Sequence, residues 1–242
     1  MFIQHLQDRI ASSPVETCLF ALMADLKDLI AQMMGTAHKG PSMPSTLSPP
    51  PAHGPRDCCL VLDASPSMAE KDWKPSRLAG AQEAAREFVR RLAAEEPDAR
   101  VAVIFYSAMA KVHCALTPAT QIDKLRSAID CVRTRAAGTS ISAGLRAAAG
   151  QLSDLTRPWQ IVLLTDGHHN WGRSPMGVVQ GLRSRAIIEC VGIGGSATDV
   201  DEDLLRSLAT SYPDGRKRYR WIGEPAELRK HFHELAGRIT RQ

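Results

Sequence analysis

The sequence predicts a doubly wound α/β fold: a mostly parallel sheet of six strands with helices on both faces, preceded by an N-terminal helical extension. Three observations lead there. Short apolar runs of buried-strand length alternate with stretches whose apolar residues recur three and four apart, all within residues 57–242. Two of those runs stop abruptly at small polar and acidic residues, Asp63-Ala64-Ser65-Pro66-Ser67 and Thr165-Asp166-Gly167, as strands do at the carboxyl edge of a parallel sheet. Proline, glycine and serine crowd residues 36–56, which divides the 242-residue chain into a helical segment 1–35, a semi-stiff linker 36–56 and a domain 57–242.

In the first segment, Ser13-Pro14-Val15-Glu16 is a helix start: serine caps, proline fits the first turn and glutamate closes a capping box. Leu19, Leu22, Leu26, Leu29 and Met33 then form an apolar stripe that stops at Gly35. Such a seam predicts packing on the domain, docking to a partner or dimerisation. Its polar face lacks the lysine array of a membrane-surface helix, since Asp25 and Asp28 outnumber Lys27. The linker, with Pro49-Pro50-Pro51, suits neither a helix nor a sheet interior.

Within the domain, Cys58–Leu62 is the first strand and Arg77–Leu92 a helix with Leu78, Ala81, Ala85, Phe88, Val89 and Leu92 on one face. Val101–Tyr106 is the second strand, and Lys111–Cys114 a short edge strand beyond a turn. Helices are predicted over Ile122–Val132 and Ile141–Leu152, the latter with Ser140 as a candidate cap. Ile161–Leu164 is the fourth strand, Met176–Arg183 a helix, Ile187–Gly194 a strand and Asp203–Leu208 a helix. Arg218–Ile222 is the last strand and Pro225–Ile239 the terminal helix. Right-handed crossovers place the loops after the first and fourth strands beside the point where the sheet changes direction.

Composition narrows the function. An apolar fraction of 44% is that of an ordinary globular chain, and a net charge of +4 is too small to argue for nucleic acid. Arg216-Lys217-Arg218 with Arg220 reads as the charged guard of an edge strand. No apolar run is long enough to cross a bilayer, and Met1–Arg9 lacks the basic start and greasy core of a secretory signal. The six cysteines show no C-x-x-C spacing. Cys58, Cys59 and Cys190 fall inside strands and Cys18 in the apolar stripe, with adjacent Cys58 and Cys59 on opposite sheet faces. They read as small buried hydrophobes in a reducing compartment. A cytoplasmic protein without membrane or nucleic-acid contact is therefore expected.

Chemistry concentrates at the strand ends. In Asp63-Ala64-Ser65-Pro66-Ser67 a carboxylate and two hydroxyls stand at every second position, so three hard oxygens can converge just past the strand. One carboxylate among neutral hydroxyls suits Mg²⁺, which keeps several of its waters. This Asp-x-Ser-x-Ser, followed by Gly138-Thr139 and by Thr165-Asp166-Gly167, resembles the metal-ion-dependent adhesion site of von Willebrand factor A (VWA) domains, whose fold is Rossmann-like. The resemblance spans roughly residues 56 to 241. It implies that Asp63, Ser65, Ser67, Thr139 and Asp166 hold a divalent ion directly or through water, with Mg²⁺ expected and Mn²⁺ or Ca²⁺ as alternatives. It also implies a free coordination position that accepts an Asp or Glu from a protein partner. Two carboxylates leave such a site with Mg²⁺ near neutral, which favours an incoming acid. Met68, Trp73, Gly138, Ser140, His168, His169 and Trp171 form the candidate partner-binding rim, the two tryptophans as anchors.

The resemblance implies a metal-dependent protein-binding module of the adaptor or scaffold kind. A narrower version makes the chain an adaptor subunit of an AAA+ ATPase of the MoxR or chelatase type, or of a bacterial stress or conflict system, with the N-terminal helix docking one partner. An enzyme is the weaker expectation. Mg²⁺ can serve hydrolysis as a Lewis acid, but the sequence has no G-x-S-x-G elbow and no phosphate-binding loop. His168 is the one candidate base near the site.

Overall fold

Five consecutive apolar residues flanked by aspartates need burial on both faces, and Asp57–Asp63 accordingly forms the central strand β1, buried along its whole length. The structure, a computed structural model, describes residues 54–135 and 138–239; the predicted helix 1–35 and most of the linker lie outside the described residues. After a 3₁₀ turn at Pro66–Ala69, α1 (Arg77–Glu95) starts where the Ser76 hydroxyl accepts the Ala79 N–H at 3.2 Å. The hairpin β2 (Arg100–Tyr106) and β3 (Ala110–Pro118) follows, then α2 (Ile122–Asp130) and α3 (Ile141–Gln151). The chain continues through β4 (Trp159–Thr165), α4 (Met176–Leu182) and β5 (Ala186–Ile193). It closes with α5 (Glu202–Leu208), β6 (Tyr219–Ile222) and α6 (Pro225–Ile239).

The six strands lie in the order β3-β2-β1-β4-β5-β6, with β3 antiparallel to β2 and every other neighbour parallel. This is the doubly wound, mostly parallel sheet expected. The chain winds outward from β1 through β2 and β3, then returns to β4 on the other side of β1. The change of direction therefore falls between β1 and β4. The edge strand β3 runs nine residues rather than four. It stays paired to β2 through two register shifts, and its open face breaks the apolar pattern that marks the inner strands.

Alternation along β1 builds two cores. Cys58, Leu60 and Leu62 face the layer of α1, α2 and α6, where Phe88, Leu92, Ile129 and Phe232 are buried. Cys59 and Val61 face the layer of α3, α4 and α5, with Leu145, Val179 and Leu205. Each of the leucines, valines, isoleucines and phenylalanines among them contributes about 1.5–3 kcal/mol by leaving water. Phe88 and Phe232 meet edge to face at 6.2 Å, locking α6 against α1. On the other face Gly144 lets α3 sit close to the sheet, because a Cβ there would stand 2.8 Å from Val61 Cγ1 and 2.9 Å from Tyr106 Cδ1. Cys58, Cys59, Cys114 and Cys190 are buried free thiols, and Cys131 is exposed.

Three ion pairs at two buried carboxylates were not legible in the sequence. At the amino end of β1 the carboxylate of Asp57, fully buried, takes Arg100 at 2.6 and 2.8 Å and Arg157 at 2.8 Å. In β5, Glu189 accepts Arg218 at 2.8 Å, and that guanidinium also lies 4.0 Å over the Tyr212 ring. Arg218 is buried by this pairing, so the basic run at 216–220 is not a uniform exposed guard: Arg216 is exposed and pairs locally with Asp214.

Candidate metal centre

Because β1 and β4 are parallel neighbours, Asp63 and Thr165-Asp166 emerge together at the carboxyl edge of the sheet. The Asp63 carboxylate is fully buried; one oxygen accepts the Ser65 N–H and the other the Thr165 hydroxyl, each at 2.7 Å. Ser65 Oγ lies 3.1 Å from Ser67 Oγ, and the Ser67 hydroxyl donates to Asp166 Oδ1 at 2.8 Å. A chain of oxygens thus runs from the first loop to the second. Thr139 closes the group: a Cβ on Gly167 would stand 3.9 Å from both Ser67 Oγ and Thr139 Oγ1. The five predicted ligands are brought together at one edge.

Backbone bonds fasten the second and third loops to each other. The amides of Asn170 and Trp171 donate to the Thr139 carbonyl at 3.1 and 3.2 Å, and the Thr139 amide donates to Asn170 Oδ1 at 2.7 Å. Gly138 leaves room for this bond, since a Cβ there would stand 2.7 Å from Asn170 Oδ1 and 3.2 Å from Trp171 Cβ, and the Asn170 side chain would have to shift. The first turn of α3 is capped by His169, whose Nδ1 accepts the Ile141 amide at 3.2 Å. Ser140, the expected cap, makes no such bond; its hydroxyl lies 3.3 Å from Ser142 Oγ.

Electrostatics favours a cation here. Burial, and then the neighbouring Asp166, push the Asp63 carboxyl up to about 7. Burial also raises Asp166, against hydrogen bonds from Ser67 and Arg77 that hold it down. Two buried carboxylates with hydroxyl neighbours are a set of hard oxygens that a divalent ion would satisfy. Among the described residues no group of three or more His, Cys, Asp or Glu is placed to hold a metal, so the hydroxyls are essential to any such site.

Arg77 was missed in the sequence. It is buried at the start of α1 and donates to Asp166 Oδ2 at 3.2 Å, to Asp72 at 2.7 to 3.0 Å and to Asp199 at 3.0 Å, with Glu70 at 3.4 Å. Burial works against its charge, but these carboxylates outweigh it and raise its pKa. Asp72 is held low, first by its bonds to Arg77. The expected near-neutral unit of two acids and one ion is therefore incomplete, because three more acids and one arginine adjoin it. Nothing in the spacing of Arg77 marks it, since a basic residue opening a helix is ordinarily solvated.

The rim needs correction too. Met68 is fully buried, turned by the 3₁₀ segment into the core under α1. Trp73 is only 3% exposed and lies on Gly80 of α1, where a Cβ would stand 2.8 Å from its Cε3. Ser140 is buried beneath the loop. These three cannot contact a partner. His168 is exposed, Gly138 and His169 are half-buried, and Trp171 is 59% exposed.

Residues 58–169 match the family model described as von Willebrand factor type A domain. A "UPF0353 protein" of Mycobacterium bovis is 33% identical over 124 residues, covering 48% of this chain and 36% of its own length. The chain thus spans about a third of that relative. Among solved structures, "von Willebrand factor type A from Catenulispora acidiphila" superposes with a TM-score of 0.64 at 21% identity, over 76% of this chain and 42% of that one. Proximal thread matrix protein 1 of the mussel byssus, described "with zinc occupied MIDAS motif", gives 0.63 at 22% identity, over 77% and 46%. The family model over residues 58–169 and the shared fold together support a von Willebrand factor type A domain in this chain.

Proposed function

We propose that this domain is a protein-binding module that works through a divalent metal, Mg²⁺ in the first instance, and captures an Asp or Glu side chain of a partner. The observation that carries the reading is the convergence of Asp63, Ser65, Ser67, Thr139 and Asp166 at the edge between β1 and β4. Asp63 and Asp166 would supply the negative charge and the three hydroxyls the neutral oxygens. The bound ion would supply a Lewis-acidic position for the partner's carboxylate. Arg77 steadies Asp166, and Trp171 and His168 offer an exposed contact surface beside the ion.

Of the two histidines in the loop beyond Asp166, His169 uses Nδ1 to accept the Ile141 amide and so serves the loop's own structure, while His168 is exposed and free to meet a partner. The chain is read as a cytoplasmic adaptor from its cysteines, of which Cys58, Cys59, Cys114 and Cys190 are buried free thiols. Among the described residues no helix is long and apolar enough to cross a membrane. An assignment to an AAA+ ATPase system rests on the VWA resemblance alone.

Titration calorimetry with MgCl₂ and MnCl₂ tests the core of the reading. Binding by the wild type with loss in Asp63→Ala and Asp166→Ala is the expected result. Unchanged affinity in either variant would sink the metal assignment. Capture of a protein partner that EDTA abolishes and Mg²⁺ restores tests the second half.

A further inference from the structure

A second concavity opens beside the metal loop, between the β2–β3 hairpin and the segment after α2, with a volume of about 800 Å³. That is the size of a small-molecule site. Ala64 forms part of its wall, and the Arg135 amide bonds to the Ala64 carbonyl at 2.9 Å. Lys111, Arg133 and Arg135 line it, and no carboxylate does. Within it Cys131 Sγ lies 3.3 Å from His113 Nδ1 and 3.3 Å from the Ala128 carbonyl, to which the resting thiol can donate. Cys131 is the exposed thiol among the described cysteines, the others being buried. The His113 ring is fixed edge-on against Phe105 at 5.6 Å. Burial first, then Lys111 and Arg135, lower its pKa, which favours the neutral ring with a nitrogen lone pair. A nucleophile, a base in contact with it and a cationic cavity around both thus occur together, apart from the metal ligands.

We propose that Cys131 is a thiol–disulfide exchange site for small disulfides bearing carboxylates, which Lys111, Arg133 and Arg135 draw into the cavity. In the exchange the Cys131 thiol gives its proton to His113 Nδ1 and its sulfur attacks one sulfur of the disulfide. A new S–S bond to Cys131 forms as the old one breaks, and the second half leaves as a thiolate carrying the electron pair. The disulfide is the oxidant, and it ends as one mixed disulfide and one free thiol. Selection is by charge: three cations raise the local concentration of an anionic reagent and lower that of a cationic one.

The test uses the full chain carrying Cys18→Ser, because Cys18 lies outside the described residues. Glutathione disulfide, bis(2-hydroxyethyl) disulfide and cystamine supply anionic, neutral and cationic reagents, each rate being divided by that of a free model thiol. Intact mass and peptide mapping are expected to place the adduct on Cys131 and to lose it in Cys131→Ser. The normalised rate should be about tenfold or more higher for glutathione disulfide than for cystamine, falling with salt. Lys111→Glu with Arg135→Glu, both surface changes checked by circular dichroism, should reverse that order. His113→Gln should slow all three reagents by a similar factor. Equal normalised rates for the three reagents, an order unmoved by the charge reversal, or modification at another cysteine would overturn the proposal. These readouts need no metal and no partner, so they stand apart from the fate of the function proposed above.

Discussion

Asp63 holds its place through two donors, the Ser65 amide and the Thr165 hydroxyl, while facing a second buried carboxylate. In EDTA, Asp63→Asn is expected to leave the melting temperature unchanged or raise it, because Oδ1 still accepts the Ser65 amide, the new NH₂ can donate to a turned Thr165 hydroxyl, and a like-charge repulsion goes. With Mg²⁺ at about a hundredfold its Kd, the wild type should gain about 2.7 kcal/mol and the variant nothing. Thermal melts with and without Mg²⁺ decide it; an equal Mg²⁺ shift in the variant contradicts the assignment. Arg77 behaves in the opposite sense. Arg77→Met strands Asp166 and frees Asp72 and Asp199, and the loss of a buried pair's partner costs about 3–5 kcal/mol. Urea unfolding measures it, and added Mg²⁺ should recover part of the loss. The difference between these two residues also explains what the sequence could tell. Asp63 belongs to a spaced motif whose purpose is readable from side-chain direction. Arg77 acquires its role only when three separate loops fold around it, so no local pattern could announce it.

At the scale of elements, α6 is the piece whose attachment is most exposed to test. Its Leu228, Phe232 and Leu235 are buried against α1, and Phe232→Ala should cost about 3–5 kcal/mol in urea unfolding. His231 on the same helix is buried, with Nδ1 unpartnered. Burial, then Arg238 and Arg220, lower its pKa to about 4. The unfolded chain therefore binds this proton first. Its contribution is full above pH 6.5 and disappears as the pH falls toward 4, amounting to roughly 2 kcal/mol between pH 7.5 and 5. Urea midpoints across that range should fall less steeply in His231→Gln than in the wild type. An equal slope would remove His231 as the cause. Inner strands and long helices were legible as elements because their apolar periods are strong. The length of β3 was not, since a strand with one open face and two register shifts carries no clean alternation. The burial of Met68 and Trp73 was also hidden. Both stand in a loop by sequence, and only the 3₁₀ turn and the missing side chain of Gly80 turn them inward.

Across the whole molecule the two ends of the sheet divide the work. At the amino end Asp57 is met by Arg100 and Arg157; at the carboxyl end Asp63 and Asp166 face each other with one arginine between several acids. Asp57→Ala should therefore destabilise by about 3–5 kcal/mol, with Mg²⁺ affinity in calorimetry unchanged within error. A loss of affinity would show that the ends are coupled. The ties between the Thr139 carbonyl and amide and residues 170–171 bear on ion choice. Two of the three oxygen-bearing segments are stitched into a single stiff clasp, anchored on the first turn of α3. A clasp with little give discriminates by ionic radius, so the smaller, octahedral cations should outrank Ca²⁺ here.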